Sequence, residues 1–324
     1  MKKLAMILFI YTLIVLGLPL LIVTVTNRLP KPVSDGEPLQ SITTYNASEG
    51  KVVEINFSDY LKGVVAAEMP ANFHSEALRA QAIAARSFIL YRRKEYQASG
   101  TPESHHGALI CTDPAHCKAW KSEDELHADW GQDYNVHMQK IADAVDGTAG
   151  IVLTYNGELV NAVFHSTSAG QTENAADVWG GEVAYLVSVH SYGDELSPKY
   201  NSSLTLSADE YKKKLQSVYP EAVFPEGSAL VDEILRSPAG GIKQITTGGV
   251  TLSGMHFRNL YGLQSTNIQF TQSASAITMD VKGNGHGVGM SQYGANFLAN
   301  QGKSCEEILK TYYSGVMIGP YAAN

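Results

Sequence analysis

The chain opens on its longest apolar run: residues 4–25, LAMILFIYTLIVLGLPLLIVTV, carry no charge. Roughly 20 such residues, at about 1.5 Å rise each, span the hydrocarbon core of a bilayer. The run is longer than a signal-peptide core, and TVTNRLP at its end offers no small-x-small cleavage site. An uncleaved anchor over residues 1–28 is therefore expected. Lys2 and Lys3 place the N-terminus in the cytoplasm and everything beyond the anchor outside the membrane. Residues 29–50, rich in Pro, Ser, Gly and Asn, read as a linker, and residues 51–324 as one extracytoplasmic region.

Within that region KVVEINF (51–57) alternates as a strand does. In SDYLKGVVAAEMP, Leu61, Val64, Val65 and Glu68 recur at i, i+3, i+4 and i+7, which is one stripe of a helix. Ser58 is placed to cap this helix, Asp59 suits its first turn and Pro70 ends it. Residues 74–94 predict a second helix, capped by Ser75, with Leu78, Ala82, Ala85 and Ile89 on its apolar side. Arg79 and Arg86, seven apart, share a face. Residues 96–135 are loop-rich. A helix then leads to a hairpin turning at Asn156-Gly157, and a second strand runs into the polar HSTSAGQTE. LSADEYKKKLQSVYP (206–220) is a capped amphipathic helix, and another helix starts near Gly254. Strands, a glycine-rich loop and two short helices close the chain. Helices mixed with antiparallel strands give an α+β class, with no internal repeat.

Composition narrows the function. With 44% hydrophobic and 17% charged residues the chain can bury a core. A net charge of −8, with no basic stripe interleaved with aromatics, argues against a nucleic-acid partner. Any grip on an anionic polymer must come from local residues. Cys111, Cys117 and Cys305 are odd in number, so one thiol stays outside any disulfide. Cys305, at the start of a helix, reads as its cap and a packed thiol.

Four stretches carry candidate chemistry. Glu68 shares its stripe with apolar residues, so burial is expected. A carboxyl in apolar surroundings keeps its proton to higher pH, which is the state a general acid needs. The structural alternative is an ion pair with Arg79 or Arg86. In HHGALICTDPAHCK, Cys111, Cys117, His116 and either His105 or His106 form a Cys₂His₂ set suited to a closed structural zinc site stapling residues 100–120. A Cys111–Cys117 disulfide is the alternative. In GNGHGVGMSQYGA, Gly283, Gly285, Gly287 and Gly289 let backbone approach a ligand, beside His286, Ser291, Gln292 and Tyr293. The bland reading is a tight packing corner, and the pattern is not a dinucleotide fingerprint. FHSTSAGQTENAADVWGGEVAYL offers Ser166 and Ser168 with Trp179 and Tyr185, polar groups and aromatic faces fit for a sugar groove. His165 and Ser166 lack the G-x-S-x-G elbow of a serine hydrolase. A glycan hydrolase needs two carboxyls about 5–10 Å apart. Only Glu68 stands out, with Glu173, Asp177 and Asp280 as candidates for a second.

LKGVVAAEMPANFHSEALRAQAIAARSF, FHSTSAGQTENAADVWGG, GLQS and GNGHGVGMSQYGANFLANQGKSCEEILKTYYSGV, in this order, resemble the stage II sporulation protein D family. These are peptidoglycan lytic transglycosylases of endospore-forming bacteria. The likeness covers nearly all of residues 50–320, and an N-terminal anchor fits it. The resemblance implies that Glu68 is the catalytic residue and that Arg86 supports the substrate or the glutamate. It implies structural zinc on His105, Cys111, His116 and Cys117. The implied substrate is peptidoglycan glycan stripped of stem peptides by a membrane-bound amidase, stage II sporulation protein P. Stage II sporulation protein M would be the membrane scaffold and the engulfing membrane of the sporulating cell the location. The family's relation to amidase enhancers keeps a second class open, a glycan-binding activator that does not cut.

Overall fold

The computed structural model describes residues 38–113 and 116–321. The expected anchor at 1–28 lies outside the described residues. Among the described residues no helix is long and apolar enough to cross a membrane. Expected linker residues 41–46 instead form a strand.

In chain order the strands are β1 (Ser41–Asn46), β2 (Lys51–Asn56), β3 (Ile110–Cys111), β4 (Ile151–Tyr155), β5 (Glu158–Leu159), β6 (Phe164–His165), β7 (Asn201–Ser207), β8 (Glu233–Arg236), β9 (Ile242–Thr247), β10 (Val250–Ser253), β11 (Asn267–Gln272), β12 (Ala276–Lys282), β13 (Met290–Ser291) and β14 (Met317–Pro320). The helices are α1 (Phe57–Glu68), α2 (Ser75–Ser99), α3 (Glu123–Trp130), α4 (Tyr134–Asp146), α5 (Ala175–Trp179), α6 (Ala208–Gln216), α7 (Gly254–Tyr261), α8 (Gln292–Asn300) and α9 (Cys305–Tyr312). The class is α+β. Most strand pairs are antiparallel, but β1 with β3 and β6 with β13 run parallel. The sheets are small, with orders β2-β1-β3, β14-β4-β5, β10-β9-β8, β11-β12-β7 and β13-β6.

Local chemistry sets the boundaries. Asn56, not Ser58, caps α1, its side chain accepting from the Ser58 and Asp59 N–H groups at 3.0 and 3.3 Å. Ser58 donates instead to Asp146 on α4. His74 rather than Ser75 caps α2, its Nδ1 accepting from the Glu76 N–H. Cys305 begins α9, whose cap is Ser304. Its buried thiol is pushed up to about 12 by that burial. The Asn156-Gly157 turn is as expected, both residues having positive φ.

Two apolar cores form. The first gathers α1, α2 and α4 with β4, α8 and α9 around Phe57, Leu61, Val64, Leu78, Ile83 and Ile89. Ala77, Ala80, Ala82, Ala84 and Ala85 of α2 are fully buried, which lets its neighbours approach closely. The second core lies wholly within residues 208–281, where α6 and α7 cover the sheets on Tyr211, Ile245, Phe257, Ile277 and Met279. Residues 201–282 are thus a lobe inserted into the first unit. The Gly283 N–H donates to Tyr200 O at 2.7 Å, bringing the chain's departure and return together.

After this return the glycine-rich loop lies on residues 163–173. Its four glycines have φ between 73° and 118°. A Cβ on Gly289 would stand 2.1 Å from Val163 O, and one on Gly285 2.6 Å from His165 Cβ. The backbone these glycines approach is the chain's own, so the packing-corner reading holds for them. Gly289→Ala combines a left-handed φ with a main-chain clash. It is expected to lower the unfolding free energy by about 2–4 kcal/mol in urea titration, whereas Gly181→Ala, with open space around it, leaves the midpoint nearly unchanged.

Candidate active site

Glu68 is the last residue of α1, and the break at Pro70 leaves its carboxyl at a helix end. It is half-buried rather than fully covered. Two remote segments converge on it. The Ala119 N–H donates to Oε1 at 3.2 Å, and the Gln292 side-chain NH₂ donates to Oε2 at 2.9 Å. Gln292 is itself buried, being the first residue of α8. Arg79, one of the two arginines considered as a rival partner, pairs instead with Glu76 at 3.2 Å.

Gln292 is aimed by a polar network behind it. Ser291 caps α8 through the Gly294 N–H and donates to buried Asp194. The same Asp194 oxygen accepts from the Ser168 N–H at 3.0 Å. The Ser168 hydroxyl bonds His165 Nε2 at 2.8 Å, while His165 Nδ1 donates to Val288 O. His286 Nε2 donates to Phe164 O and its Nδ1 accepts from the Val288 N–H. Burial pushes His165 down to about 4 and, with His165 and Lys118 adding to it, holds His286 well below its ordinary value. Both rings are neutral near pH 7, as their acceptor nitrogens require. Half-exposed Trp179 leans on His286, ring centres 5.3 Å apart. Tyr293 packs edge-on against Phe73, and the Ser166 hydroxyl bonds Thr167.

The His/Cys set assembles one step away. His105 Nε2, Cys111 Sγ, His116 Nδ1 and Cys117 Sγ all lie within 4.8 Å of one another. The His105–His116, Cys117–His105 and Cys111–His116 separations are 3.0, 3.2 and 3.5 Å. Tetrahedral ligands at zinc bond lengths stand roughly 3.3–3.8 Å apart, so the donor set fits that ion. Cys111 and Cys117 are free thiols, so the disulfide alternative is not formed. His106 has positive φ and turns its ring to Tyr45, so His105 is the fourth member of the cluster. The cluster is covalently close to the site, since Cys117 is two residues from the amide that holds Glu68.

Other expected site residues lie elsewhere. Arg86 is fully buried and donates to Ile151 O at 3.2 Å and Val145 O at 3.1 Å. It ties α2 to the corner between α4 and β4, because an interior guanidinium must satisfy its donors on buried carbonyls. It is a core residue, not a surface for substrate. The half-buried Tyr185 hydroxyl accepts from the Asn161 N–H, so that end of the ring is engaged by backbone. Of the possible second carboxyls, Glu173 is buried between the lobes and accepts from the Gly241 N–H. Asp177 pairs with Lys243 at 2.7 Å, and Asp280 lies on the outer face of β12.

Two residues escaped the sequence reading. Lys118 is buried with its ammonium 3.8 Å from the Phe164 ring centre and 4.4 Å from that of Phe88. Burial pulls it down to about 8, against the opposing charge of Glu68. Asp194 opens a short 3₁₀ turn, Asp194–Leu196. Neither carries a periodic or spacing signal.

A family model described as "Stage II sporulation protein" matches residues 45–155, a range that includes Glu68 and the four residues of the His/Cys cluster. Stage II sporulation protein D of Bacillus subtilis (strain 168) is 41% identical over 294 residues, covering 89% of this chain and 83% of that protein. The protein of the same name from Bacillus amyloliquefaciens is 40% identical over 279 residues, 86% of this chain and 78% of its own length. The chain belongs to the stage II sporulation protein D family. It is also 28% identical over 315 residues to the amidase enhancer of Bacillus subtilis (strain 168), covering 40% of that longer protein.

Asp194 gives a pH signature. Burial raises its carboxyl from 3.8 to about 6. Between these values the unfolded chain has lost the proton and the folded chain retains it, so this group's contribution to stability falls as pH rises from about 4 to about 6. In paired denaturant titrations, the stability of the parent minus that of Asp194→Asn should decline by up to about 3 kcal/mol over that window. A difference independent of pH would contradict the assignment.

Proposed function

We propose that the protein is a membrane-anchored lytic transglycosylase that cleaves peptide-stripped peptidoglycan glycan during forespore engulfment. The observation that carries this reading is the half-buried Glu68 carboxyl, with an N–H donor fixed on each oxygen by segments 51 and 224 residues away. Glu68 donates its proton to the glycosidic oxygen between N-acetylmuramic acid and N-acetylglucosamine, which leaves as a hydroxyl. Its carboxylate then takes the proton of the muramic 6-hydroxyl as O6 bonds to C1. The product is a 1,6-anhydro sugar, and no water is consumed. One carboxyl suffices for both steps; Glu173 accepts from the Gly241 N–H, Asp177 pairs with Lys243, and Asp280 lies exposed on the outer face of β12. Ala119 and Gln292 hold the carboxyl, Trp179 offers an apolar face to a sugar ring, and neutral His286 braces the loop beside it.

Zinc on His105, Cys111, His116 and Cys117 would be a closed structural site, its role to fix the loop that ends at Ala119. The anchor would hold the enzyme at the engulfing membrane with the amidase, stage II sporulation protein P, and the scaffold, stage II sporulation protein M. Similarity to an amidase enhancer favours one second reading, a glycan-binding activator of an amidase.

Glycan strands freed of peptide, digested with the protein and weighed by mass spectrometry, should end in anhydro sugars. Reducing ends carrying one added water would sink the mechanism. Glu68→Gln should slow release at least about 100-fold. An activator would keep stimulating the amidase with that substitution in place. Metal analysis should find zinc in the parent and not in Cys111→Ser, with a lower melting temperature for the variant; a metal-free parent would retire the zinc site.

A further inference from the structure

The inserted lobe turns one face of the β11-β12-β7 sheet onto its own core and the other outward. Ile268, Ile277, Met279 and Val281 point inward. The register aligns the outward residues in three rows across the strands: Thr271–Thr278–Thr205, Gln269–Asp280–Ser203 and Asn267–Lys282–Asn201. With strands about 4.8 Å apart and alternate residues about 6.7 Å along each strand, this is a grid of hydroxyls and amides. Exposed sheets with free edges are commonly guarded by charge. These nine positions hold a single Asp and a single Lys.

A concavity of about 430 Å³ lies on the lower two rows, bounded by Asn201, Ser203, Gln269, Asp280 and Lys282. Lys282 also borders the crevice formed with Ser168, His286 and Gly287, and Asn267 lines that crevice beside it. The polar face is therefore continuous with the loop that carries His286 and leads to Gln292. Lys282, at the junction, is exposed.

We propose that this face is a binding track that leads a peptide-free amino-sugar strand into the crevice at His286. The proposal rests on the glycan-cleaving reading above. Hydroxyl and amide side chains match the hydroxyl and acetamido groups of such a strand, which a charged face would hold less selectively. Removing the stem peptide turns the muramic lactyl amide into a free carboxylate. The Lys282 ammonium complements that carboxylate and gains nothing from the amide of a peptide-bearing strand. Lys282 is thus the residue that distinguishes the two strands, and the sheet supplies length.

The test is binding of end-labelled strands to the full-length chain carrying Glu68→Gln, read by fluorescence anisotropy so that cleavage plays no part. Adding Ser203→Ala with Gln269→Ala should raise Kd for long stripped strands about tenfold, the loss of two hydrogen bonds, and leave a disaccharide-length probe unaffected. Adding Lys282→Gln should weaken stripped strands up to about fivefold while strands whose lactyl carboxyls are reduced to alcohols bind as before. All these side chains are exposed, so melting temperature should not move. If both variants bind long stripped strands like the parent, the track is wrong, whatever the enzyme's products. If the variants lose binding but the chain with Glu68 intact yields no anhydro ends, the track stands and the transglycosylase reading falls.

Discussion

The site depends on one close approach of backbone to backbone. Residues 283–289 lie so near 163–173 that a side chain on Gly285 or Gly289 would collide with His165 or Val163. That contact returns the chain from the inserted lobe, pairs Met290 and Ser291 with Phe164 and His165, and fixes the first turn of α8. Only then can Gln292 reach back to Glu68. A helix start displaced by a single residue would turn Gln292 about 100° around the axis and away from the carboxyl.

Around this contact the protein has placed polar groups where they must be satisfied internally. Asp194, Ser168, Ser291 and His165 are all buried. Their mutual hydrogen bonds offset part of the cost of desolvation and leave few alternative arrangements. Burial keeps the two histidines neutral, so each presents one donor and one acceptor to a fixed backbone partner. The result is a fixed polar network, with neutral histidines and the buried Asp194 carboxyl, behind half-buried Glu68. For the proposed reaction, preorganisation of this kind would cost no rearrangement as charge develops on the sugar.

The His/Cys cluster and Arg86 show how structural demands serve the same end by different means. The cluster gathers a loop that has little core of its own and delivers Ala119 to Glu68. Arg86 anchors α2 to the α4–β4 corner from inside, and α2 supports the helices that carry Glu68 and Gln292. The resemblance implied that Arg86 supports the substrate or the glutamate, whereas its guanidinium is fully buried and donates to Ile151 O and Val145 O. Its position seven residues from Arg79 on one helix face could not tell a solvent-facing guanidinium from one that donates to interior carbonyls.

Periodicity alone determined a good deal: the α+β class, the helix ending at Glu68, the second helix, the Asn156-Gly157 turn, and the grouping of the four zinc-type ligands within a short loop. These are local properties, set by 3.6-residue and 2-residue repeats, turn chemistry and spacing along the chain. The tertiary structure decided the rest. It chose Asn56 and His74 as caps, made the expected linker yield β1, split the core in two, and selected His105 over His106. It also brought Ala119, Gln292 and Lys118 to Glu68 and set Asp194 behind Gln292 through Ser291. Such contacts join segments up to 224 residues apart, and no repeat in a sequence records them. They follow from which apolar faces bury against each other and which buried polar atoms must then find partners.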